Sequence, residues 1–449
     1  MKRKIFDDLL RWKSSKKKKC LFIQGARQVG KTYIIDEFAA ENYPANKIIK
    51  MDFIIQKDMN RFFEGDLSPA AVMRRVSGDI RFRNIDFKDD PDNPYFIFLD
   101  ECQECENAII ALKAFSMQSE LYHVIASGSL LGVALKREFS GSYPVGYVQH
   151  LSMYPMNFEE FLWAFGYNDR FIEQLLQSDS VTDSTHEVLA DLFRKYIVIG
   201  GMPEAVETFI DTQNYDAVYT VQSDLRTGYI QDIRKYGESE TMKIKIQRCF
   251  ESIPAHLKEQ NKRFMYKRVE KNGRSRMFDH ALDWLYDAGL VIYCDNLKTL
   301  KQPLSSYTEE DSFKLFLLDP GVLMSMFPPE KRYHVLSGSE DIDIGGIYEN
   351  AVACILATAK KNNKLAYMNM EQQLDLDFVM ESNDVITILE VKSGDSLKSS
   401  SLKKFLKMNP DFDGKVIKLS NKLASDEAVV KNKTFYRFAL ELQHTTSVY

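Results

Sequence analysis

Eight residues near the start of the chain have the spacing of a phosphate-binding turn. Gly25-Ala-Arg-Gln-Val-Gly30-Lys31-Thr32 fits G-x-x-x-x-G-K-[ST] at every fixed position. It stands between an apolar strand pattern and a helical one, the context that the motif requires. Gly25 and Gly30 let the backbone curl so that successive N–H groups face phosphate oxygens. The N-terminus of the following helix adds partial positive charge. In such a turn Lys31 reaches the β- and γ-phosphates of a nucleotide and the Thr32 hydroxyl binds Mg²⁺. Arg27 inside the loop and Tyr33 just after it join the expected nucleotide contacts.

A loop of this kind works with carboxylates. The run Tyr95-Phe-Ile-Phe-Leu-Asp100-Glu101 supplies two at the end of an apolar strand. Asp100 is expected on the metal side and Glu101 beside the attacking water. The adjacent pair favours hydrolysis over phosphoryl transfer to a small-molecule hydroxyl. The next strand ends in Ser127-Gly128-Ser129, where either serine is a candidate γ-phosphate sensor and a plain turn is the alternative. Arg137, Arg226 and Arg234 are candidate arginine fingers, and the sequence does not choose among them. Cys102 and Cys105 form a C-x-x-C with no second pair at zinc spacing, so they read as helix-start cysteines.

A second carboxylate constellation lies near the C-terminus. The chain reads Asp375-Leu-Asp377-Phe-Val and then Ile386-Thr-Ile-Leu-Glu390-Val-Lys392. Two adjacent strands ending in an acid and in E-x-K bring Asp377, Glu390 and Lys392 together, with Glu349 on a preceding helix. Carboxylates so placed bind Mg²⁺, and the lysine orients water or stabilises charge on phosphate. The other reading is an exposed hairpin with paired surface charges. Basic residues are also concentrated: eleven Lys/Arg against five Glu between Gly237 and Arg276, and ten lysines against five acids over residues 391–433. Each stretch suits a phosphate backbone or a solvated face.

The elements that must hold these groups follow from the hydropathy pattern. Leu21–Gln24, Lys47–Phe53, Tyr95–Asp100 and Tyr122–Ser127 read as strands, with helical patterns at Lys31–Ala40 and Asn107–Gln118. Such alternation predicts a parallel sheet covered on both faces. Residues 65–94, rich in Pro and Asp, read as an insertion on the rim of the sheet. Residues 152–236 are mostly helical, interrupted at Gly200-Gly201-Met202-Pro203. Residues 237–330 read as a small helical domain ending in a hairpin, Leu290–Cys294 with Phe313–Leu318. A polar stretch then leads to a helix from Ile347 to about Lys360 and strands near Ala366–Met370, Leu376–Met380 and Val385–Val391.

With 449 residues, several cores are expected. The net charge of −5 excludes a uniformly basic nucleic-acid coat. Apolar runs stop well short of the ~20 residues that span a bilayer. Asp7 and Asp8 break what would be a signal-peptide core. Six scattered cysteines make no disulfide framework. The expected location is cytoplasmic.

Taken in order, the blocks GARQVGKT, FLDECQ, SGSLLG, YPMNFEEFL, GGMPEAV, DAGLVIY, KLFLLDPGVL, YENAVA, LDFVM and LEVKSG resemble a widespread family of prokaryotic AAA-type P-loop ATPases. That family carries a C-terminal domain of unknown function similar to the restriction-endonuclease-like fold. The resemblance covers most of the chain. It implies an α/β protein: an additional-strand P-loop core (1–151), a helical lid (152–236), a winged-helix-like domain (237–335) and a nuclease-like domain (336–449). Gly25, Gly30, Lys31, Thr32, Asp100 and Glu101 match its nucleotide site, and Glu349, Asp377, Glu390 and Lys392 its nuclease-like pattern. Members often show Glu-x-Asp where this chain has Asp375-Leu-Asp377. Many carry a Gly-Arg or Gly-Lys after the sensor strand, where this chain has Gly141-Ser142 and Gly146-Tyr147. The expected ligands are ATP and Mg²⁺. The leading expectation is an ATPase coupled to a DNA- or RNA-binding, nuclease-like region. The alternative is an ATP-dependent switch that docks a protein through a catalytically inactive nuclease-like domain. Oligomeric state is left open.

Overall fold

The apolar runs of the N-terminal third become parallel strands. They are β1 (Cys20–Gln24), β2 (Ile48–Asp52), β3 (Tyr95–Asp100) and β4 (Tyr122–Gly128), with β5 (Val148–Ser152) at one edge. The central β1, β3 and β4 are buried on both faces, as continuous patterns require, and the edge strand β2 alternates. The computed structural model describes residues 1–128, 144–178, 180–236, 239–338, 344–360, 364–370, 374–394, 400–423, 426 and 429–444. Ser129, Arg137 and Gly141-Ser142 lie outside these residues. The chain divides into two units, Lys2–Tyr154 and Pro155–Tyr449.

In the first unit the strand order is β2-β3-β4-β1-β5, every pair parallel. β4 therefore lies between the strand leading into the phosphate loop and the strand ending in Asp100, the additional-strand arrangement. Side chains of β3 alternate between two faces. Tyr95, Ile97 and Leu99 join a cluster with Phe62, Val72, Val76 and Phe115. Phe96 instead meets Phe38 and Tyr43, with centroids 6.0 and 4.7 Å away. Residues 65–94 do more than decorate the rim. Pro69–Ser77 is a helix whose Val72, Met73 and Val76 are buried in that same cluster, joined by Phe82.

The second unit opens with helices Phe158–Ala164, Asp169–Gln177, Asp183–Ile199, Pro203–Thr212 and Tyr215–Tyr236. Asn157 starts the first by reciprocal capping. Its Oδ1 accepts from Glu160 N at 2.9 Å and its N–H donates to Glu160 Oε2 at 3.0 Å. The break at Gly200-Gly201 is a close approach. A Cβ on Gly201 would lie 2.1 Å from Met156 O. Gly201 N donates to Asp319 Oδ2 at 2.6 Å, and Asp319 Oδ1 accepts from Val322 N at 2.9 Å. Three distant sequence blocks thus lock into one buried junction, where burial pushes the Asp319 carboxyl up to about 6.

A seven-stranded mixed sheet forms the rest of the core, in the order β12-β11-β10-β9-β8-β6-β7. Its strands are β6 (Val291–Leu297), β7 (Thr308–Leu317), β8 (Lys364–Met370), β9 (Leu374–Ser382), β10 (Val385–Lys392), β11 (Lys415–Ser420) and β12 (Val430–Thr434). The helix Gly345–Lys360 packs on it, and Leu402 and Phe405 of the helix Ser400–Met408 cluster with Leu376, Val379 and Ile388. The hairpin β6–β7 does not close a separate small domain. β6 pairs in parallel with β8 from Tyr293↔Lys364 to Asn296↔Tyr367, so the expected boundary near residue 335 falls between strands of one sheet. Among the described residues no helix is long and apolar enough to cross a membrane.

Candidate functional site

Parallel pairing sends the C-terminal ends of β1, β3 and β4 to one edge, where open α/β sheets place their ligands. The loop after β1 is shaped by two constraints. A Cβ on Gly25 would lie 2.2 Å from Met153 O, and Gly30 takes φ 97° as it opens the helix Lys31–Asn42. Lys31 is buried, and its Nζ donates to Gly25 O at 2.9 Å and Ala26 O at 3.0 Å. Burial lowers its pKa to about 8 against the pull of Glu101 and Asp100.

Asp100 is the hub of this edge. Its Oδ2 accepts from Thr32 Oγ1 at 2.8 Å, and its Oδ1 accepts from Ser127 Oγ and from Glu101 N at 3.1 Å. The structure thus joins the phosphate loop, β3 and β4 through one carboxylate. Ser127 is fully buried, and its hydroxyl donates to Asp100. Glu101 sits at φ 52°, a left-handed conformation that non-glycine residues rarely adopt. Its Oε2 accepts from Gln103 Nε2 at 2.6 Å. Arg27 and Tyr33 are exposed. Arg226 Nη1 donates to Ser325 O at 2.8 Å, and Arg234 Nη2 to Gln247 Oε1 at 3.4 Å, both within the second unit.

Two residues of this site escaped the sequence reading. Gln103 carried a signal, being the last letter of FLDECQ. Arg3 carried none. It is buried, donating to Val29 O inside the loop at 2.9 Å and to Tyr154 O at 2.7 Å.

In the second unit Asp377, Glu390 and Glu349 each have a partner of their own. Asp377 Oδ2 accepts from Val391 N at 2.7 Å, and Lys392 Nζ lies 2.6 Å from Glu390 Oε1. Glu349 meets two lysines that sequence did not pair with it, Lys262 at 2.7 Å and Lys314 at 3.5 Å. Burial opposes ionisation of Glu349, yet these two ammoniums hold it below the usual carboxylate range. Burial, with Glu349 and Glu390 nearby, pushes Asp377 well above that range. Glu390 Oε2 is buried without a hydrogen-bond partner. Among the described residues no group of three or more His, Cys, Asp or Glu is placed to hold a metal ion.

In the basic stretch over 237–276 four of the eleven cations have acidic partners. Lys243 pairs with Glu240 at 2.7 Å, Arg248 with Glu270 at 3.3 Å, Arg268 with Glu259, and Lys262 with Glu349. Lys245 and Lys258 lie over the Phe278 and Phe327 rings. Lys267, Lys271, Arg274 and Arg276 remain exposed. All six cysteines are unpaired and buried.

Three family models match successive stretches of the chain. The AAA domain family matches residues 17–162, and two domains of unknown function, DUF8612 and DUF4143, match residues 190–332 and 344–436. No curated protein matches the chain. Similar solved structures include a Walker-type ATPase of Pyrococcus abyssi, with TM-score 0.43 and 13% identity over 72% of this chain and 94% of that one. They also include the Aeropyrum pernix ORC1 protein in complex with DNA, with TM-score 0.28 and 13% identity over 76% and 92%. AMPPCP-bound DnaA from Aquifex aeolicus has TM-score 0.26 and 12% identity over 63% and 86%. With the loop, its carboxylate hub and the strand order, the match to the AAA domain family marks residues 17–162 as a P-loop domain of the AAA type.

Proposed function

We propose that this protein hydrolyses Mg²⁺-ATP and that the second unit responds to the nucleotide through contact with nucleic acid. The observation that carries hydrolysis is the Asp100 hub, which holds Thr32, Ser127 and the Glu101 amide in one hydrogen-bonded set beside Lys31. Thr32 and Asp100 fit Mg²⁺, one as a hydroxyl ligand and the other through water; when bound, the ion neutralises phosphate charge. Gly25, Gly30 and Arg27 line the phosphates, with Tyr33 at the rim. Lys31 exchanges its two carbonyl partners for β- and γ-phosphate oxygens. Glu101 takes the proton of the attacking water.

Phosphate release by purified protein tests this reading. Lys31→Ala is expected to abolish ATP binding, and Glu101→Gln to bind ATP while turning over at least about 100-fold more slowly. Wild-type turnover in Glu101→Gln would remove that residue from the role. The nucleic-acid reading is supported by the exposed cations Lys267, Lys271, Arg274 and Arg276. Duplex DNA should stimulate hydrolysis, steeply less as salt rises, and substituting all four with Glu should remove the stimulation. Hydrolysis indifferent to DNA would favour the protein-docking switch.

A further inference from the structure

The strands that carry the nucleotide site begin at the opposite end of the sheet, and a cavity of about 530 Å³ opens there, a size that suits a small molecule. Lys18 lies two residues ahead of β1, Pro94 directly ahead of β3, and His123 is the second residue of β4. Asn42 ends the helix that starts at the phosphate loop, and Tyr43 follows it. Lys13, from the helix Ile5–Ser14, completes the inner lining.

The inner lining carries positive charge and no acid. Lys13 and Lys18 are half-buried and Tyr43 and His123 buried, whereas the two acids of the lining, Asp92 and Glu120, are exposed and screened by salt. Lys13 Nζ donates to Asn42 O at 2.9 Å and Asn42 Oδ1 at 3.2 Å, and Lys18 Nζ to Ser15 O at 3.0 Å. An ammonium has three N–H donors, so one on Lys13 and two on Lys18 are left over. Among the described residues neither lysine pairs with a carboxylate. Burial, and then the Lys13 charge, lower the Lys18 pKa. Burial, with Lys18 and Lys13 nearby, lowers that of His123 to about 4, so the imidazole is neutral at pH 7. The Tyr43 hydroxyl holds its Nδ1 at 2.8 Å. Two neighbouring ammoniums thus share a partly desolvated wall without a counter-ion, and an anion between them relieves their repulsion.

We propose that this cavity is a binding site for a small phosphate compound, with the phosphate group held between Lys13 and Lys18. Lysine binds phosphate as a point charge. A phosphate monoester carries about −1.5 to −2 at pH 7, the charge that two ammoniums balance, whereas a carboxylate carries half of it. Pro44, Pro91 and Pro94 add apolar wall for whatever the phosphate is attached to. The run Lys16–Lys19, of which Lys16 also lines the cavity, draws anions toward it.

The test is calorimetric titration of the full chain carrying Lys31→Ala, which silences the phosphate loop, with inorganic phosphate, ribose 5-phosphate and AMP as probes. One saturable site is expected with Kd below about 1 mM. Lys18→Glu should weaken it at least about tenfold. Lys13→Gln, which keeps a donor for Asn42 O, carries the same expectation and decides the matter should Lys18→Glu fail to fold. Replacing Lys267, Lys271, Arg274 and Arg276 with Glu should leave binding unchanged, which separates this site from the other basic surface. Tighter binding of the two esters identifies an organic phosphate as the ligand, and equal binding of all three identifies free phosphate. Two results overturn the proposal. One is no saturable binding of any probe up to about 10 mM. The other is binding that survives both Lys18→Glu and Lys13→Gln.

Discussion

The phosphate loop and the buried carboxylate centre both gather acids and lysines beside a sheet, yet they hold their charges in opposite ways. In the first unit charged groups rest on neutral partners. Lys31 is bonded to two backbone carbonyls and Asp100 to two hydroxyls and an amide. In the second, carboxylates rest on ammoniums. A hydrogen bond between a charged group and a neutral partner is worth about 1.5–3 kcal/mol net, and Lys31 can exchange its two for phosphate oxygens. Breaking a buried ion pair by removing one partner leaves an uncompensated charge, at about 3–5 kcal/mol. One arrangement is ready to receive a charged ligand, whereas in the other Glu349 and Glu390 already meet ammoniums of the same chain. A cluster of catalytic-looking residues is therefore judged by its internal counter-ions as much as by its spacing.

The largest expected effect separates the two directly. Glu349→Ala leaves Lys262 and fully buried Lys314 facing each other without their shared acid, so stability should fall by about 3–5 kcal/mol. Asp100→Asn keeps groups that Thr32 and Ser127 can bond, so stability should change by less than about 1 kcal/mol, while ATP hydrolysis falls at least about 100-fold. Urea unfolding and phosphate release on both variants measure this. Equal stability losses would erase the contrast.

A smaller effect concerns how the loop is held. Arg3 reaches from the first residues of the chain to Val29 O and Tyr154 O, tying the phosphate loop to the segment after β5. Arg3→Ala leaves both carbonyls short of a donor, costing about 1–2 kcal/mol in the bound geometry of the loop. The KM for ATP should rise roughly tenfold, with kcat at saturation nearly unchanged. A fall in kcat with KM intact would place Arg3 in the chemistry instead.

Where these features were visible in the sequence follows from the range of the interactions. The four strands β1–β4 and the phosphate loop are local patterns, apolar runs and glycine spacing, and the structure reproduces them within a few residues. β5 has no such run, with only Leu151 buried, because an edge strand needs few apolar residues. The joining of β6 to β8 depends on pairing between Tyr293 and Lys364, which no local pattern encodes. The same is true of the partners of Glu349. E-x-K was legible as two neighbours on one strand, whereas Lys262 and Lys314 arrive from other elements. Blocks such as GGMPEAV and KLFLLDPGVL read as signatures, and their glycines and Asp319 prove to be packing and capping contacts at one junction.

Gln103 offers the finest test of the open arrangement. Glu101 leaves β3 in a left-handed conformation, and its carboxylate accepts a hydrogen bond from Gln103 Nε2, two residues away in the turn Cys102–Glu104. The amide oxygen of Gln103 is buried with no partner, so the side chain is anchored through Glu101. If that bond aims the carboxylate at the attacking water, Gln103→Ala loosens the aim without touching the phosphate contacts. A loss of about 1 kcal/mol in the transition state alone corresponds to roughly a fivefold fall in kcat, with KM for ATP unchanged. Gln103→Glu should fall further, because a second carboxylate beside Glu101 repels it. A rise in kcat for Gln103→Ala would mean that the bond restrains Glu101. The first unit would then hold its chemistry closed from within, as the lysines do in the second, and the contrast between the two centres would narrow to a difference in the strength of the restraint.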